Sequence, residues 1–223
     1  GSPFSKNDYL DLLILLSQVF KLMRSKGMLE LESHIENPSN SSIFSQHRSF
    51  MRNKHAVTFF CDYLRILTMG VDDHMQVEDL MDQDLETHHK EHEDISHAVL
   101  MMGDAMPALG IVAAVLGVII TMRSITEPPE ILGMLIGSAL VGTFLGVLLS
   151  YTLVSPIGRF IGSYFQAEDK YLECIKCALL SHMKGNAPAI SIEFARNNIP
   201  PKERPDFFEV ENAVSNSGTG AAA

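Results

Sequence analysis

The stretch that decides the fold is Val99–Gly158, which reads VLMMGDAMPALGIVAAVLGVIITM, then RSITEPPE, then ILGMLIGSALVGTFLGVLLSYTLVSPIG. No side chain is charged from Ala105 to Met122, and none from Ile131 to Gly158. About 20 apolar residues of helix cross the hydrocarbon core of a bilayer. The two runs therefore predict two membrane spans joined by a tight turn at Glu127–Glu130. The alternative is a buried hairpin of a soluble protein, but 223 residues make too small a core to enclose two such helices.

Small residues recur at four-residue spacing along both predicted spans. Because lipid tails give helices no hydrophobic reason to associate, helices in membranes pack through small residues that let their backbones approach. We therefore expect these spans to belong to a larger helix bundle that includes partners. The repeats pair Gly110 with Ala114, Ala113 with Gly117, and Gly133 with Gly137, and they line up Ser138, Gly142 and Gly146.

Few polar groups and two prolines interrupt the apolar runs. Asp104 lies at one end of the first span, where it either faces a cavity or partner or is hydrated at the headgroup level. Thr143 lies within the second span, and we expect its hydroxyl to bond the carbonyl one turn back. Pro107 and Pro156 each remove a backbone hydrogen bond, so a kink is expected at each of them.

The flanking segments carry nearly all of the charge, and the formal net charge of the chain is −10. The excess of acid lies before Val99 and argues against a nucleic acid as partner, because phosphate binding needs clustered lysine and arginine. Three cysteines make no disulfide framework, which suits a reducing compartment. No signal peptide is recognisable at the first residues.

Outside the hairpin the apolar spacing predicts helices throughout. One long acidic helix is expected from Gln76 to His97, running on into the first span, and its charge is read as a solvated face. The other helices are expected at 9–26, 28–36, 43–52, 55–69, 159–184 and 190–197, with a last helix starting at Pro205 and a disordered tail from Ser215.

Two motifs suggest chemistry but are better explained by structure. His88 and His92 share a helix face, yet no third metal ligand stands out, so no metal site is predicted. Cys174 and Cys177 form a CxxC inside a helical pattern with no second pair, which indicates packing. The sequence holds no phosphate loop and no nucleophile motif, and we predict that the chain is not an enzyme.

Four segments together resemble the MotA family of flagellar stator proteins, within the wider MotA/TolQ/ExbB proton channel family. They are LESHIENP, GDAMPALGIVAAVLGVIITM, LVGTFLGVLLSYTLVSP and SIEFARNNIPPKERPDFFEVE, and the similarity spans residues 8–214. The resemblance implies an all-α membrane protein whose two-helix transmembrane hairpin continues into long cytoplasmic helices. Two further spans of the family precede the helix at Tyr9 and are missing from this sequence.

Partners and roles follow from the resemblance. Family members form a homopentamer around a dimer of MotB, the peptidoglycan-anchored stator subunit, in the bacterial inner membrane, and the titrating aspartate belongs to MotB. Ion flow turns the ring, and cytoplasmic charges push the rotor protein FliG. The family's rotor-contacting residues match Arg24 and Glu32, and its coupling prolines match Pro107 and Pro156. Membrane lipid is the remaining expected partner.

The resemblance also implies the organisation of the chain. Residues 1–97 are expected to form a cytoplasmic, rotor-facing helical domain, residues 98–158 the transmembrane hairpin, and residues 159–223 a cytoplasmic helix with short terminal helices and a tail. The resemblance to the family indicates which side of the membrane is cytoplasmic, since the positive-inside rule helps little for an acidic segment. An energy-transducing subunit of the ExbB or TolQ type is the alternative function, although LESHIENP and ERPDFFEVE favour the stator.

The coupling ion is predicted from the residues along the ion path, which we assign to Thr143, Ala114 and Asp104. Sodium-driven relatives place a threonine in each of the two facing spans. Here Thr143 is present, but the facing position holds Ala114, which offers no oxygen for a hard cation. We therefore expect a proton as the coupling ion and no other cofactor. Close helix packing in the same region is assigned to Gly110, Gly117, Gly142 and Gly146.

Overall fold

The computed structural model describes residues 3–218, and within that range the chain is helical with no strand. Within residues 3–218, nine α-helices follow one another. Their bounds are α1 Lys6–Lys26, α2 Met28–Glu36, α3 Arg48–Arg52, α4 Lys54–Thr68, α5 His74–Met122, α6 Pro129–Leu149, α7 Ser155–Met183, α8 Pro188–Asn198 and α9 Phe207–Gly218.

The chain divides into two compact units, and the divisions fall inside α5 and α7. The first unit runs to His88 and resumes at Gln166, and the second is His89–Phe165. The all-helical fold and the long helix through Gln76–His97 are as predicted.

Helix α1 is the centre of the first unit and packs against α2, α3, α8 and α9. Leucines at helical spacing bury one face of α1, and Ser5 and Asp8 close a capping box at its start. Tyr9 of α1 lies against Tyr171 of α7 with ring centroids 5.4 Å apart, and both side chains are about 1% exposed. Burial raises the pKa of Tyr171, so its phenol stays neutral. This unit therefore has a well-buried apolar core of its own.

Three glycines with positive φ stop three helices of the first unit. Gly27, Gly70 and Gly185 have φ of 83°, 88° and 86°, and they follow the ends of α1, α4 and α7. Glycine reaches this region without the steric penalty that a β-carbon brings, which is why it commonly terminates helices. The sequence predicted a stop at each of these glycines.

The second unit is a helical hairpin whose outer surfaces are apolar and exposed. Both helices are long and apolar enough to cross a membrane, by length and composition. Met134 is 72% exposed and Phe144 is 64% exposed, and Ala139 is the buried residue of α6. The turn lies earlier than predicted: α5 ends at Met122 and α6 already starts at Pro129. The reason is that proline fits the first helical position, where its missing N–H costs nothing.

Two predicted elements differ in the structure. The expected helix at 43–52 is a 3-10 turn at Phe44–Gln46 and then α3, because His47 leaves helical geometry and binds Asp11 of α1 at 2.6 Å. The prediction of a disordered tail from Ser215 is wrong for residues 215–218, because α9 extends to Gly218. The rest of that predicted tail, residues 219–223, lies outside the described residues.

Candidate functional site

The four predicted packing glycines all lie where α5 and α6 approach each other. A β-carbon built on Gly146 would lie 2.6 Å from the carbonyl oxygen of Met106, and one on Gly110 would lie 2.7 Å from that of Gly142. A β-carbon on Gly117 would overlap the β-carbon of Ala139. At these positions only the hydrogen atom of a glycine fits, so the backbones of α5 and α6 are in direct contact.

Gly133 and Gly137 differ from these four. Nothing among the described residues lies within 4 Å of a β-carbon built on either glycine, so neither packs inside the hairpin. Ser138, the first member of the predicted small-residue row, is exposed and donates to the carbonyl of Met134 in its own helix. The row therefore splits: Gly142 and Gly146 face α5, whereas the side chain of Ser138 is exposed.

Thr143 bonds across the hairpin, and the prediction of a bond one turn back is wrong. Its Oγ1 donates to the carbonyl oxygen of Gly110 at 3.1 Å. The absent side chain of Gly110 lets α6 approach closely enough for a threonine hydroxyl to reach the α5 backbone. Ala114, one turn further along α5, is half-buried, with its backbone nitrogen 4.0 Å from a β-carbon built on Gly142. Thr143 and Ala114, two of the three residues assigned to the ion path, thus belong to one stretch of helix contact.

The Thr143→Val variant is expected to lower the stability of the detergent-solubilised protein by about 1 kcal/mol, the usual value of an interhelical hydrogen bond in a membrane. Valine keeps the shape and removes the donor to Gly110. The measurement is the apparent Tm. Thr152→Val is the matched control, since Thr152 is exposed and donates only to Leu148 of its own helical run. Equal Tm values for the two variants would contradict a special role for the Thr143 bond.

A five-residue π-helix, Ser150–Val154, precedes Pro156, and the sequence did not predict it. Proline has no N–H, so the carbonyl of Thr152 loses its α-helical donor. In the turn before the proline, the backbone N–H of Ser155 donates to the carbonyl of Ser150, five residues back. This is the wider hydrogen-bond step of a π-turn. Pro156 signalled an irregularity but not its type, because several local rearrangements can accommodate a missing N–H. The expected irregularity at Pro156 is therefore a π-turn.

The stretch of α5 around Pro107 lies next to the start of α7, which contains Pro156. Pro107 leaves the carbonyl of Gly103 without its helical donor, and a β-carbon on Gly103 would lie 2.9 Å from Oγ of Ser155. Gly103 and Ser155 are both buried, whereas Pro107 is half-buried and Pro156 exposed. The two prolines assigned to coupling thus stand beside one close contact between α5 and α7.

Close helix contact continues past the predicted end of the hairpin. Ser96 donates through Oγ to the carbonyl oxygen of Gly158 at 3.0 Å, and a β-carbon on Gly162 would lie 2.8 Å from that same Oγ. The sequence analysis missed these residues. The spacing of Gly158 and Gly162, four residues apart like the glycines of the spans, was the signal for them.

Within residues 3–218, no group of three or more histidine, cysteine, aspartate or glutamate side chains could bind a metal ion. Asp104 is exposed on the hairpin. The Nε2 atom of His88 lies 2.8 Å from Nε2 of His55 on α4.

The CxxC cysteines pack α7 against α8. Cys174 is fully buried and donates to the carbonyl of Ala195, and Cys177 receives the side-chain amide of Asn198 at 2.9 Å. Burial raises the pKa of the Cys174 thiol, which keeps it protonated and unreactive.

The two predicted rotor-contacting residues are exposed in the first unit. Arg24 lies in the last turn of α1 and Glu32 in α2, with Gly27 between the helices. Among the residues that the structure describes, neither side chain makes an ion pair. Leu31 and Ile35 bury the inner face of α2, which leaves Glu32 at the surface. Two unpaired charges of opposite sign are therefore available to a partner.

Known proteins resemble this chain along nearly its whole length. The family model described as the MotA/TolQ/ExbB proton channel family matches residues 51–173. Motility protein A of Salmonella typhimurium is 40% identical over 213 residues, which is 96% of this chain and 72% of that protein. The flagellar MotAB stator complex of Bacillus subtilis aligns with a TM-score of 0.70 at 25% identity, covering 86% of this chain and 68% of that one. MotAB of C. jejuni aligns with a TM-score of 0.72 over 90% of this chain and 70% of that one; at 19% identity it supports the fold alone.

Proposed function

Since the chain belongs to the MotA/TolQ/ExbB proton channel family, we infer that it is the ion-conducting stator subunit of a bacterial flagellar motor. It couples ion flow across the inner membrane to torque on the rotor. The chain is a channel subunit in this role, and no catalytic residue is assigned to it.

The observation that carries this function is the extent of the likeness to Motility protein A. The family model covers residues 51–173, a region that stator and ExbB or TolQ subunits share. The likeness to Motility protein A spans 96% of the chain and so extends into helices on both sides of that region. Those helices carry Arg24 and Glu32, which a subunit that pushes a rotor needs and a subunit of the ExbB type does not.

Partner helices are needed because the hairpin alone surrounds no path. Its exposed apolar faces need lipid or protein around them, and the open edge at Gly133 and Gly137 suits a closely approaching helix. The structural neighbours are MotAB stator complexes, which supports a MotB-type partner. We propose that five copies of the chain surround a dimer of that partner, with FliG as the rotor-side target.

Membership of the family supports one orientation in the membrane, since the positive-inside rule helps little for an acidic segment. The acidic first unit, which includes the end of α7, α8 and α9, stays in the cytoplasm. The turn at 123–128 faces the opposite side. The chain is thus a multi-pass inner-membrane protein in which Arg24 and Glu32 face the rotor.

The proton is the proposed coupling ion. Sodium must exchange its hydration shell for several oxygen ligands. In the stretch where α5 and α6 touch, Thr143 provides one hydroxyl and Ala114 provides none. A proton needs only a titratable acceptor and water, and in the family that acceptor is an aspartate of the MotB-type partner.

Swimming speed tests the ion. We expect it to stay unchanged when potassium replaces sodium in the buffer, and to collapse when a protonophore is added, because only the proton gradient is then lost. The same cells carrying a sodium-driven stator pair serve as the control and should respond in the opposite way. The assignment would be overturned if swimming stopped without sodium and continued in the presence of the protonophore.

Gene disruption tests the function itself. Cells without this chain should build complete flagella that do not turn, and plasmid-borne full-length protein should restore rotation. Unimpaired swimming combined with failed energy-dependent uptake across the outer membrane would instead favour the ExbB or TolQ type of subunit.

A further inference from the structure

Two histidine rings of the first unit face each other across one hydrogen position, and we call them the His55–His88 pair. Nε2 of His55 on α4 lies 2.8 Å from Nε2 of His88 on α5. The rings also touch, with centroids 3.8 Å apart and 42° between their planes. Two ring nitrogens this close attract each other only when one carries the hydrogen and the other accepts it. The pair therefore has no room for the full set of hydrogens that two imidazolium rings carry.

A carboxylate lies beside each ring of the pair. Oε1 of Glu168 on α7 is 3.7 Å from Nδ1 of His55, and Oδ1 of Asp84 on α5 is 3.9 Å from Nε2 of His88. The side chains of the two histidines are 24% and 31% exposed, so solvent screens these contacts only in part. Each ring would therefore find an anion of its own, at ion-pair distance, if both rings were protonated.

Side chains of α4 and its cap hold both carboxylates in place. The Tyr63 hydroxyl donates to Oδ2 of Asp84 at 3.1 Å, and the side-chain amide of Asn53 donates to Oε1 of Glu168 at 3.2 Å. Burial, together with the charge of Asp84, raises the pKa of the Tyr63 phenol, so this hydroxyl remains a donor. Asn53 also caps α4 by accepting from the backbone N–H of Ala56. The anions are thus fixed by bonds that do not involve the two rings.

The titratable residues next to the pair have other surroundings. His92, one turn further along α5, stacks on Phe165 of α7 with centroids 3.9 Å apart. Asp169 follows Glu168 and is half-buried, which adds a second acid to the α7 side of the pair. His89 is exposed and adjoins His88, so it provides a matched control for a substitution of His88.

We propose that the His55–His88 pair is a pH-dependent switch, which exchanges a contact between α4 and α5 for one between α4 and α7 when the cytoplasm becomes acidic. Protonation of both rings aims two N–H groups and two positive charges at each other, so the rings separate. His55 then pairs with Glu168, and His88 pairs with Asp84 at the i,i+4 spacing that favours ion pairs in a helix. Histidine is the side chain that ordinarily changes its charge between about pH 5 and pH 8.

The sign of the pH dependence follows from the number of bound protons. The separated arrangement binds one proton more than the paired arrangement. Its population relative to the paired arrangement therefore rises as the pH falls, by up to about tenfold per pH unit. The pair is closed in a neutral cytoplasm and opens in an acidic one.

The effect on rotation rests on the proposed stator function. Helix α2, which carries Glu32, packs against α4. Helix α5 leaves the first unit after His88, and α7 re-enters it at Gln166. A change in which of these two helices holds α4 therefore reaches the helix that bears Glu32. We expect torque to fall as the cytoplasm acidifies, by more than the smaller proton gradient alone would cause.

Nitrogen NMR tests the pair itself. Full-length protein labelled with ¹⁵N in its histidines is produced with its MotB-type partner and studied in lipid bilayers. The shared hydrogen should couple the two Nε2 nuclei at about pH 7.5, and the coupling should disappear reversibly at about pH 5.5, on the other side of the ordinary histidine pKa. His88→Gln should remove the signal, which assigns it, and His89→Gln should leave it unchanged. Absence of the coupling at the higher pH, or its persistence at the lower pH, overturns the proposal.

Motor speed tests the effect on rotation. Cells that lack their own subunit produce each variant, and a membrane-permeant weak acid lowers the internal pH. His88→Gln keeps an amide that can donate to His55 but takes up no proton. At the internal pH where the two arrangements are equally populated, His88→Gln motors should turn about twice as fast as wild-type and His89→Gln motors. Equal speeds of the three would overturn the switch. Failure of the stator function is distinct, because the wild-type protein would then restore no rotation, while NMR would still decide whether the pair opens.

Discussion

Gly146→Leu is expected to abolish swimming and to destabilise the protein in detergent by at least about 3 kcal/mol, the upper part of the usual range for overpacking. A β-carbon on Gly146 already lies 2.6 Å from the carbonyl oxygen of Met106 and 3.2 Å from Cα of Gly110. Both atoms belong to the backbone of α5, so no side-chain rotation relieves the overlap. The helices must separate, which also breaks the bond from Thr143 to Gly110. The measurements are the apparent Tm, the amount of protein in the membrane, and motility.

Gly137→Leu is the matched control for this variant. It makes the same substitution in the same helix, but nothing described lies within 4 Å of its β-carbon. The isolated chain should therefore keep the wild-type Tm. A Gly137→Leu chain as unstable as Gly146→Leu would show that leucine in α6 is harmful wherever it stands, and that the contact between α5 and α6 is not the cause.

Reversing the charge of Arg24 or Glu32 is expected to reduce swimming to near zero while assembly and proton conduction stay at wild-type levels. Both side chains are exposed and unpaired within residues 3–218, so folding loses nothing when their sign changes. Charges at an interface govern the encounter with the partner and its register, and a like charge facing a like charge repels. Swimming assays report the torque, and the acidification of cells that produce the stator reports conduction.

Lys202→Glu controls for the charge change, because it reverses an exposed cation in the connection before α9. It should leave swimming intact. Loss of membrane assembly or conduction in Arg24→Glu or Glu32→Lys would contradict the rotor role and make these residues structural. Near-normal swimming of the Lys202→Glu cells together with immobile Arg24→Glu cells is the expected pattern.

Much of the candidate site followed from sequence because local rules govern it. Uncharged runs long enough to span a bilayer predicted the hairpin, and glycines at four-residue spacing identified Gly110 and Gly146 as packing positions. The partner of Thr143 did not follow, because a bond one turn back is the local expectation and only the approach of α5 offers Gly110 instead. The π-turn before Pro156 was also missed, since several local rearrangements can accommodate a missing N–H.

The sequence by itself determined most of the helices, the stops at three glycines, and two helices long and apolar enough to cross a membrane, because these features depend on residues within a few turns of each other. Only the tertiary structure decided which small residues of α6 face α5 and which face outward. That choice depends on the register of two helices, and Gly137 and Gly146 look alike until the register is fixed. The convergence of three helix ends of the first unit has the same origin: the stops at Gly27, Gly70 and Gly185 are local, but the cavity of about 510 Å³ that these helix ends surround is not. Burial of the first unit's common core brings the three helix ends together, and no single segment of the chain carries that information.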